Sequence, residues 1–218
     1  MKTANNPILL TGSTCHASCL RTWRASSDPD ADRRRSATQE KEIGKMNEQT
    51  EELYDACAEG DPDRVKESLT RGGDVNSNEF DSGFTPLHVC VSGIHRQEAR
   101  QEVIQLLHRA GAKLDIRDAE KGLTPLHYTA LRNKPLCAKA LIECGADVHA
   151  IEANGATALH GAAYHGNLEV ARVLLEGGAN PTLEDRRGNT PMSLARMRGH
   201  TRLTELLSAG RDDFETPS

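Results

Sequence analysis

The sequence predicts an all-α solenoid of about five helix-turn-helix repeats. Four segments share the pattern Gly-x-Thr-Pro-Leu-His or a close variant of it, and they open at Gly83, Gly122, Gly155 and Gly188. These glycines are separated by 39, 33 and 33 residues. A fixed period in this range is typical of stacked repeats. The composition of 37% hydrophobic but only 3% aromatic residues agrees, because Ala, Leu and Val allow helices to pack closely.

Each repeat carries signals for the start and end of its helices. A threonine in the shared pattern can cap the first helix, and the following proline suits the first helical position because it has no N–H to lose. Leucines after it, and paired apolar residues in the second helix, are predicted to form the core. Left-handed glycines are expected to end the second helices at Gly111, Gly145 and Gly178.

The unit before Gly83 is predicted to cap the array. Glu51 to Val75 aligns with the helical part of a repeat but lacks the Thr-Pro-Leu-His opening. A terminal repeat has no neighbour on one side, so polar residues there can face water. Asp61 and Pro62 are expected to begin its second helix.

The unit that opens at Gly83 is six residues longer than the next one. The additional residues are charged and helix-forming, so they are predicted to lengthen the second helix by about one to two turns. The region of 93–103 is expected to be a solvated extension, with a partner contact as the alternative. The residues expected in its exposed first turn are Ile94, His95, Arg96, Glu98 and Arg100.

Together these registered motifs resemble the ankyrin-repeat family over roughly residues 48–210. The resemblance implies repeats at about 48–82, 83–121, 122–154, 155–187 and 188–210, with β-hairpin-like finger loops and a concave palm lined by the first helices. The flanking residues 1–47 and 211–218 are expected to be disordered tails.

Three histidines recur at one register, His88, His127 and His160. Stacked helices lie about 10 Å apart, whereas a zinc ion needs ligands at about 2.0–2.3 Å. A metal ladder is therefore not expected, and the resemblance implies that each histidine instead hydrogen-bonds a neighbouring repeat. The sequence contains no catalytic motif that we recognise, so we predict a protein that is not an enzyme and has no cofactor or metal.

Partner specificity should reside in the positions that vary between repeats. The candidate partner-binding residues on the palm and fingers are Glu59, Phe80, Arg132, Tyr164, His165, Arg186, Met197 and Arg198. Asp118 is a further variable position on the fingers. Tyrosine and arginine dominate interface energies, which favours Tyr164, Arg132 and Arg198 as anchors. The resemblance implies a non-catalytic adaptor or inhibitor that binds a protein partner on the concave face. The alternative is a regulatory or substrate-recognition subunit of a kinase, phosphatase or ubiquitin ligase complex.

The charge distribution and the lack of apolar runs limit the other partners. Residues 1–47 carry a net charge of +3 and the remainder carries −8, so we expect no nucleic-acid partner. No apolar run is long enough to cross a bilayer, so no membrane contact is predicted. The six cysteines have no framework spacing, which indicates reduced thiols. We expect a monomer in the cytoplasm or also in the nucleus.

The N-terminal residues admit several interpretations. Residues 1–27 contain no acidic side chain, which makes mitochondrial targeting an alternative localisation. Ser36 follows three arginines and is a candidate phosphorylation site. Met46 is an alternative start, in which case the tail has no meaning. Asn76 occupies the hairpin position that some ankyrin proteins have hydroxylated, and the resemblance makes it a candidate modification site.

Overall fold

The computed structural model describes residues 47–78, 82–93 and 97–209. The chain divides into two units, 1–44 and 45–218, and the first lies outside the described residues. Residues 1–46 and 211–218 of the predicted tails, with Ser36 among them, also lie outside them, and so do Phe80, Ile94, His95 and Arg96. The described residues form ten helices: α1 Glu48–Glu59, α2 Pro62–Thr70, α3 Pro86–Ser92, α4 Gln97–Arg109, α5 Pro125–Leu131, α6 Pro135–Glu143, α7 Ala158–His165, α8 Leu168–Glu176, α9 Pro191–Met197 and α10 Thr201–Ala209.

The helices pair into five consecutive units, which we call repeats 1 to 5, and stack in two layers. The first helices α1, α3, α5, α7 and α9 form one layer, and the second helices α2, α4, α6, α8 and α10 form the other. Equivalent leucines of the second helices are fully buried between the layers at Leu107, Leu141, Leu174 and Leu207. The predicted all-α solenoid is therefore confirmed.

Predicted helix boundaries agree with the structure at several points. Asp61 caps α2 by accepting from the N–H groups of Asp63 and Arg64, and Pro62 is the first helical residue. Gly111, Gly145 and Gly178 all adopt the left-handed conformation after a second helix. Asn133, which stands where other repeats carry glycine, has φ of 53° and is the one described non-glycine residue with positive φ.

The recurring histidines close the starts of their own helices and reach the next repeat. In α3, α5 and α7 the ring Nδ1 accepts the backbone N–H of the capping threonine at 3.1–3.2 Å. Nε2 therefore carries the proton and donates it across the junction to a carbonyl oxygen at 3.1–3.2 Å. The pairs are His88 with Leu123, His127 with Ala156 and His160 with Asn189.

A second set of bonds crosses junctions between repeats in the opposite direction. Asn167, at the start of α8, donates Nδ2–H to the carbonyl of Ala130 at 2.6 Å. His200, just before α10, lies with Nε2 at 3.3 Å from the carbonyl oxygen of Tyr164. Both acceptors belong to the last turn of the preceding repeat's first helix, where carbonyls lack partners within the helix.

The prediction that the second helix of repeat 2 is longer is confirmed. Helix α4 has 13 residues, whereas each of the other second helices has nine. The prediction that Arg100 lies in an exposed first turn is wrong, because Arg100 is only 1% exposed. Its guanidinium donates to the carbonyl oxygens of Cys57 and Ala58 in repeat 1 and of Cys90 in repeat 2. The additional turn therefore delivers a buried cation to the junction between repeats 1 and 2.

The finger loops connect successive repeats edge to edge. Backbone N–H groups of Ala119, Ala153 and Arg186 donate to carbonyls of the preceding loop, each at 2.9 Å. Within one loop, Ile151 and Thr157 form an isolated antiparallel bridge. These bonds hold the finger loops side by side, next to the layer of first helices.

Candidate protein-binding surface

Large apolar side chains are exposed at the same register in three consecutive repeats. Leu131, Tyr164 and Met197 lie at the C-terminal end of α5, α7 and α9, with exposed fractions of 36%, 41% and 68%. We call these three residues the apolar row. The one other large apolar side chain exposed in the described residues is Ile151, on a finger loop. Repeats 1 and 2 have Ala58 and Ser92 at this register, so the row is confined to repeats 3 to 5.

In repeats 3 to 5 the residue that follows the apolar row is an arginine or a histidine. Arg132, His165 and Arg198 are all exposed, and we call them the cationic row. The equivalent residue in repeat 1 is the acidic Glu59, whose carboxylate pairs with Arg64 at 2.5 Å. The predicted candidate Glu59 is therefore separated by one repeat from the rest, and the surface changes from acidic to basic along the array.

Tyr164 is held in place by three neighbours. The Arg198 Cζ lies 3.8 Å from the centroid of the Tyr164 ring, which is a cation–π contact. The His165 ring meets the same ring edge-on at a centroid distance of 5.1 Å. His200 contacts the Tyr164 carbonyl and fits against Gly166. A cation–π contact at an exposed site contributes about 0.5–1 kcal/mol, enough to orient the ring before a partner arrives.

The structure thus brings together Tyr164, His165 and Arg198, while Met197 and Arg132 lie at equivalent positions of the adjoining repeats. Arg186 is exposed on a finger loop, where its backbone N–H bonds to Asn154 and its Cγ lies against Gly155. Phe80 lies outside the described residues. Sequence reasoning missed His200, since no repeated motif marks it and its role depends on contact with Tyr164.

The prediction that Asp118 is a variable partner-binding position on the fingers is wrong. Asp118 is 5% exposed, and its Oδ1 accepts backbone N–H groups from Glu120, Lys121 and Gly122 at 2.7–3.1 Å. Its Oδ2 accepts from the Tyr128 hydroxyl at 2.7 Å. These bonds to the ionised form lower the pKa of Asp118 against the opposing effect of burial, so the residue stabilises its loop.

Asn76 connects two repeats through both ends of its side-chain amide. Its Nδ2 donates to the Gly111 carbonyl at 2.9 Å, and its Oδ1 accepts from the Lys113 N–H at 2.8 Å. The residue is nevertheless on the surface. Its modification stays a prediction.

Over the same part of the chain, side chains suited to metal binding do not gather. No group of three or more His, Cys, Asp or Glu side chains is arranged to hold an ion among the described residues. The described cysteines, Cys57, Cys90, Cys137 and Cys144, are free thiols. None of the ten helices between residues 47 and 209 combines the length and apolarity needed to cross a bilayer.

Comparison with known protein families decides the identity of the repeats. A profile described as ankyrin repeats in three copies matches residues 53–150 and again residues 94–185. The chain belongs to the ankyrin-repeat family. Ankyrin repeats form a protein–protein interaction fold that is in general non-catalytic, and the geometry above is that of an ankyrin array.

Among curated proteins, this ankyrin-repeat protein is similar to larger members of the family. Human SH3 and multiple ankyrin repeat domains protein 1 is 31% identical over 118 residues, which are 53% of this chain. Protein fem-1 homolog A of Bos taurus is 38% identical over 80 residues, or 33% of this chain. The matched segments make up only 5% and 12% of those two proteins, respectively.

Proposed function

We propose that this ankyrin-repeat protein is a non-catalytic adaptor or inhibitor, and that it binds one protein partner on the concave palm lined by its first helices. The binding surface consists of the apolar and cationic rows of repeats 3 to 5. Arg186, on a finger loop, extends the surface at its edge, and Phe80 stays a candidate predicted from the sequence.

The observation that supports this proposal is the register of the exposed apolar side chains. Three of the four large apolar residues exposed in the described residues occupy one position in consecutive repeats. Core packing does not account for them, because the inward positions of the same helices are filled by buried residues such as Leu126 and Leu159. A contiguous exposed apolar patch with a polar rim is typical of a protein-binding site.

The chemistry of the rows also matches that of interface hot spots. Tyrosine and arginine are enriched among residues whose truncation costs about 2 kcal/mol or more in binding. Tyr164 and Arg198 are already in contact, so little conformational entropy is lost when a partner covers them. Repeats 1 and 2 offer small or acidic residues at these registers and contribute less.

Affinity capture from cells with the full chain tests the proposal. One variant combines Tyr164→Ala, Met197→Ala and Arg198→Ala, and the matched control is Ile151→Ala, which removes the exposed apolar residue outside the rows. Loss of one hot spot weakens binding by about 30-fold, so the triple variant should release partners that the control retains. Thermal melts of all three proteins verify that the array remains folded.

The captured proteins also distinguish the two functional hypotheses. If a kinase, phosphatase or ubiquitin ligase is lost from the triple variant, the protein is a regulatory or substrate-recognition subunit of that complex. If every partner is retained equally by the triple variant and the control, the rows are not the binding surface and the proposal is refuted.

A further inference from the structure

Gly161, in the middle of α7, is a glycine that the fold does not require. Of the 15 glycines in the described residues, 11 adopt a positive φ that disfavours other residues. Three more are crowded, since a Cβ would come too close to the Gln49 carbonyl oxygen, the Arg100 guanidinium or the Ile142 side chain. These three are Gly73, Gly93 and Gly177. A Cβ on Gly161 would meet only Leu131 at 3.6 Å and Ala130 at 3.7 Å, which are ordinary contacts.

Glycine at this position weakens the helix that contains it. In a helix interior glycine lowers the folding equilibrium constant by about two- to fivefold relative to alanine. The space for a Cβ exists, and the helical backbone suits alanine. Stability alone would therefore favour alanine at residue 161.

The position of Gly161 suggests why the space is open. Gly161 lies one turn before Tyr164, on the same side of α7. The equivalent residues of the adjoining repeats are Tyr128 and Leu194, both of which are partly exposed. Between them the surface has no side chain at Gly161, and Leu131 lies close to this gap, which we call the notch.

The surroundings of the notch are apolar at its wall and basic along one side. Leu131, Tyr164 and Met197 supply the exposed apolar surface. Arg132 follows Leu131 in repeat 3, and Arg198 follows Met197 in repeat 5. The apolar and cationic rows contain no acidic residue in repeats 3 to 5. Charge complementarity therefore favours an acidic segment over a basic one.

We propose that the notch receives an apolar side chain from an extended, acidic segment of the partner protein. Neighbouring first helices lie about 8–10 Å apart, and an extended chain in the polyproline II conformation has three residues per turn and rises about 3.1 Å per residue. Every third residue of such a segment therefore faces a new repeat. The segment carries apolar residues at this spacing, and acidic residues between them contact Arg132 and Arg198. This inference rests on the function proposed above.

The test uses peptides selected from a displayed random library of 12-residue sequences on the full chain. Enriched peptides are synthesised with a fluorophore and titrated by fluorescence anisotropy. The variants are Gly161→Ala, the triple variant Tyr164→Ala, Met197→Ala and Arg198→Ala, and the control Gln105→Ala on the exposed side of α4. Selection should enrich Asp and Glu together with Leu, Ile, Met or Phe three residues apart.

Gly161→Ala should raise the melting temperature by about 2–4 °C and yet weaken peptide binding about tenfold or more, because the added methyl group fills the notch. The control should bind like the unmodified chain. A structural role for Gly161 predicts the opposite, with a lower melting temperature.

Each alternative outcome has a definite meaning. If the triple variant loses binding but Gly161→Ala does not, the notch inference fails and the proposed function stands. If the triple variant binds normally, the proposed function itself fails. The acidic-segment proposal would be overturned by enrichment of basic peptides, by a selection that enriches no peptide, or by sedimentation that shows the chain dimerising through these rows.

Discussion

Replacing the buried Arg100 with leucine should destabilise the junction between repeats 1 and 2. The guanidinium donates to the carbonyls of Cys57 at 2.9 Å and Ala58 at 2.6 Å, and also to that of Cys90. The Cys57 carbonyl retains a second donor, the Gly60 N–H at 3.3 Å. Arg100→Leu therefore removes the charged donor from all three carbonyls, and the loss should be greatest at Ala58 and Cys90.

The expected loss is about 2–4 kcal/mol. A buried polar group without its partner costs about 1–3 kcal/mol, and the variant leaves the carbonyls of Ala58 and Cys90 without this donor. Part of that cost is offset because leucine, unlike the guanidinium, carries no charge that must be desolvated. Urea denaturation followed by circular dichroism measures the change in the free energy of unfolding. The control is Arg109→Leu, an exposed arginine on the same helix, which should change this free energy by less than about 0.5 kcal/mol.

A double-mutant cycle with Gly93 sharpens the test. A Cβ on Gly93 would overlap the Arg100 guanidinium, whereas its backbone, with φ of −64°, tolerates alanine. Gly93→Ala should thus destabilise the intact protein but have little effect when Arg100 is already leucine. Additive effects of the two substitutions, or a loss from Arg100→Leu no larger than that from Arg109→Leu, would refute the assigned role.

Two further predictions concern pH and the hairpin asparagine. Burial lowers the pKa of His88, His127 and His160 below the unfolded value of about 6.5, so the stability they provide is complete above pH 6.5 and falls as the pH decreases from there. Urea titrations from pH 7.5 to 5.5 should show this fall, and His160→Gln should reduce it relative to the exposed control His149→Gln; a flat profile would contradict the neutral-histidine geometry. Asn76→Ala should cost about 1–2 kcal/mol through its two lost hydrogen bonds, measured against Asn154→Ala. Mass spectrometry that finds Asn76 unmodified in cells would end the hydroxylation hypothesis.

The repeat register predicted most of the fold because it is a local signal. A threonine opens the first helix of repeats 2 to 5, proline follows it in three of these four, and a glycine with positive φ follows the second helix of repeats 1 to 4. The same register placed Tyr164 and Met197 at equivalent positions, and the structure shows both of them exposed. Their role as a binding site stays a proposal.

Arg100 and Asp118 show what the register could not predict. A charged, helix-forming stretch is normally solvated, and only the approach of Gly60 and Gly93 to one point makes room for the Arg100 side chain. Asp118 looks like a variable surface residue until Tyr128, ten residues later, is seen to donate to it. In both cases the deciding partner is set by tertiary contact and not by a repeated motif.

Hydrogen bonds that run both ways across a junction affect how the array can come apart. Between repeats 4 and 5, His160 reaches forward to Asn189 while His200 reaches back to Tyr164. Separating the two repeats would break both hydrogen bonds, each of which contributes about 0.5–1.5 kcal/mol to stability. Fracture there also removes Arg198 from the Tyr164 ring. Repeat 5 therefore stabilises the binding surface. When repeat 5 unfolds, the protein should lose ligand binding in the same step.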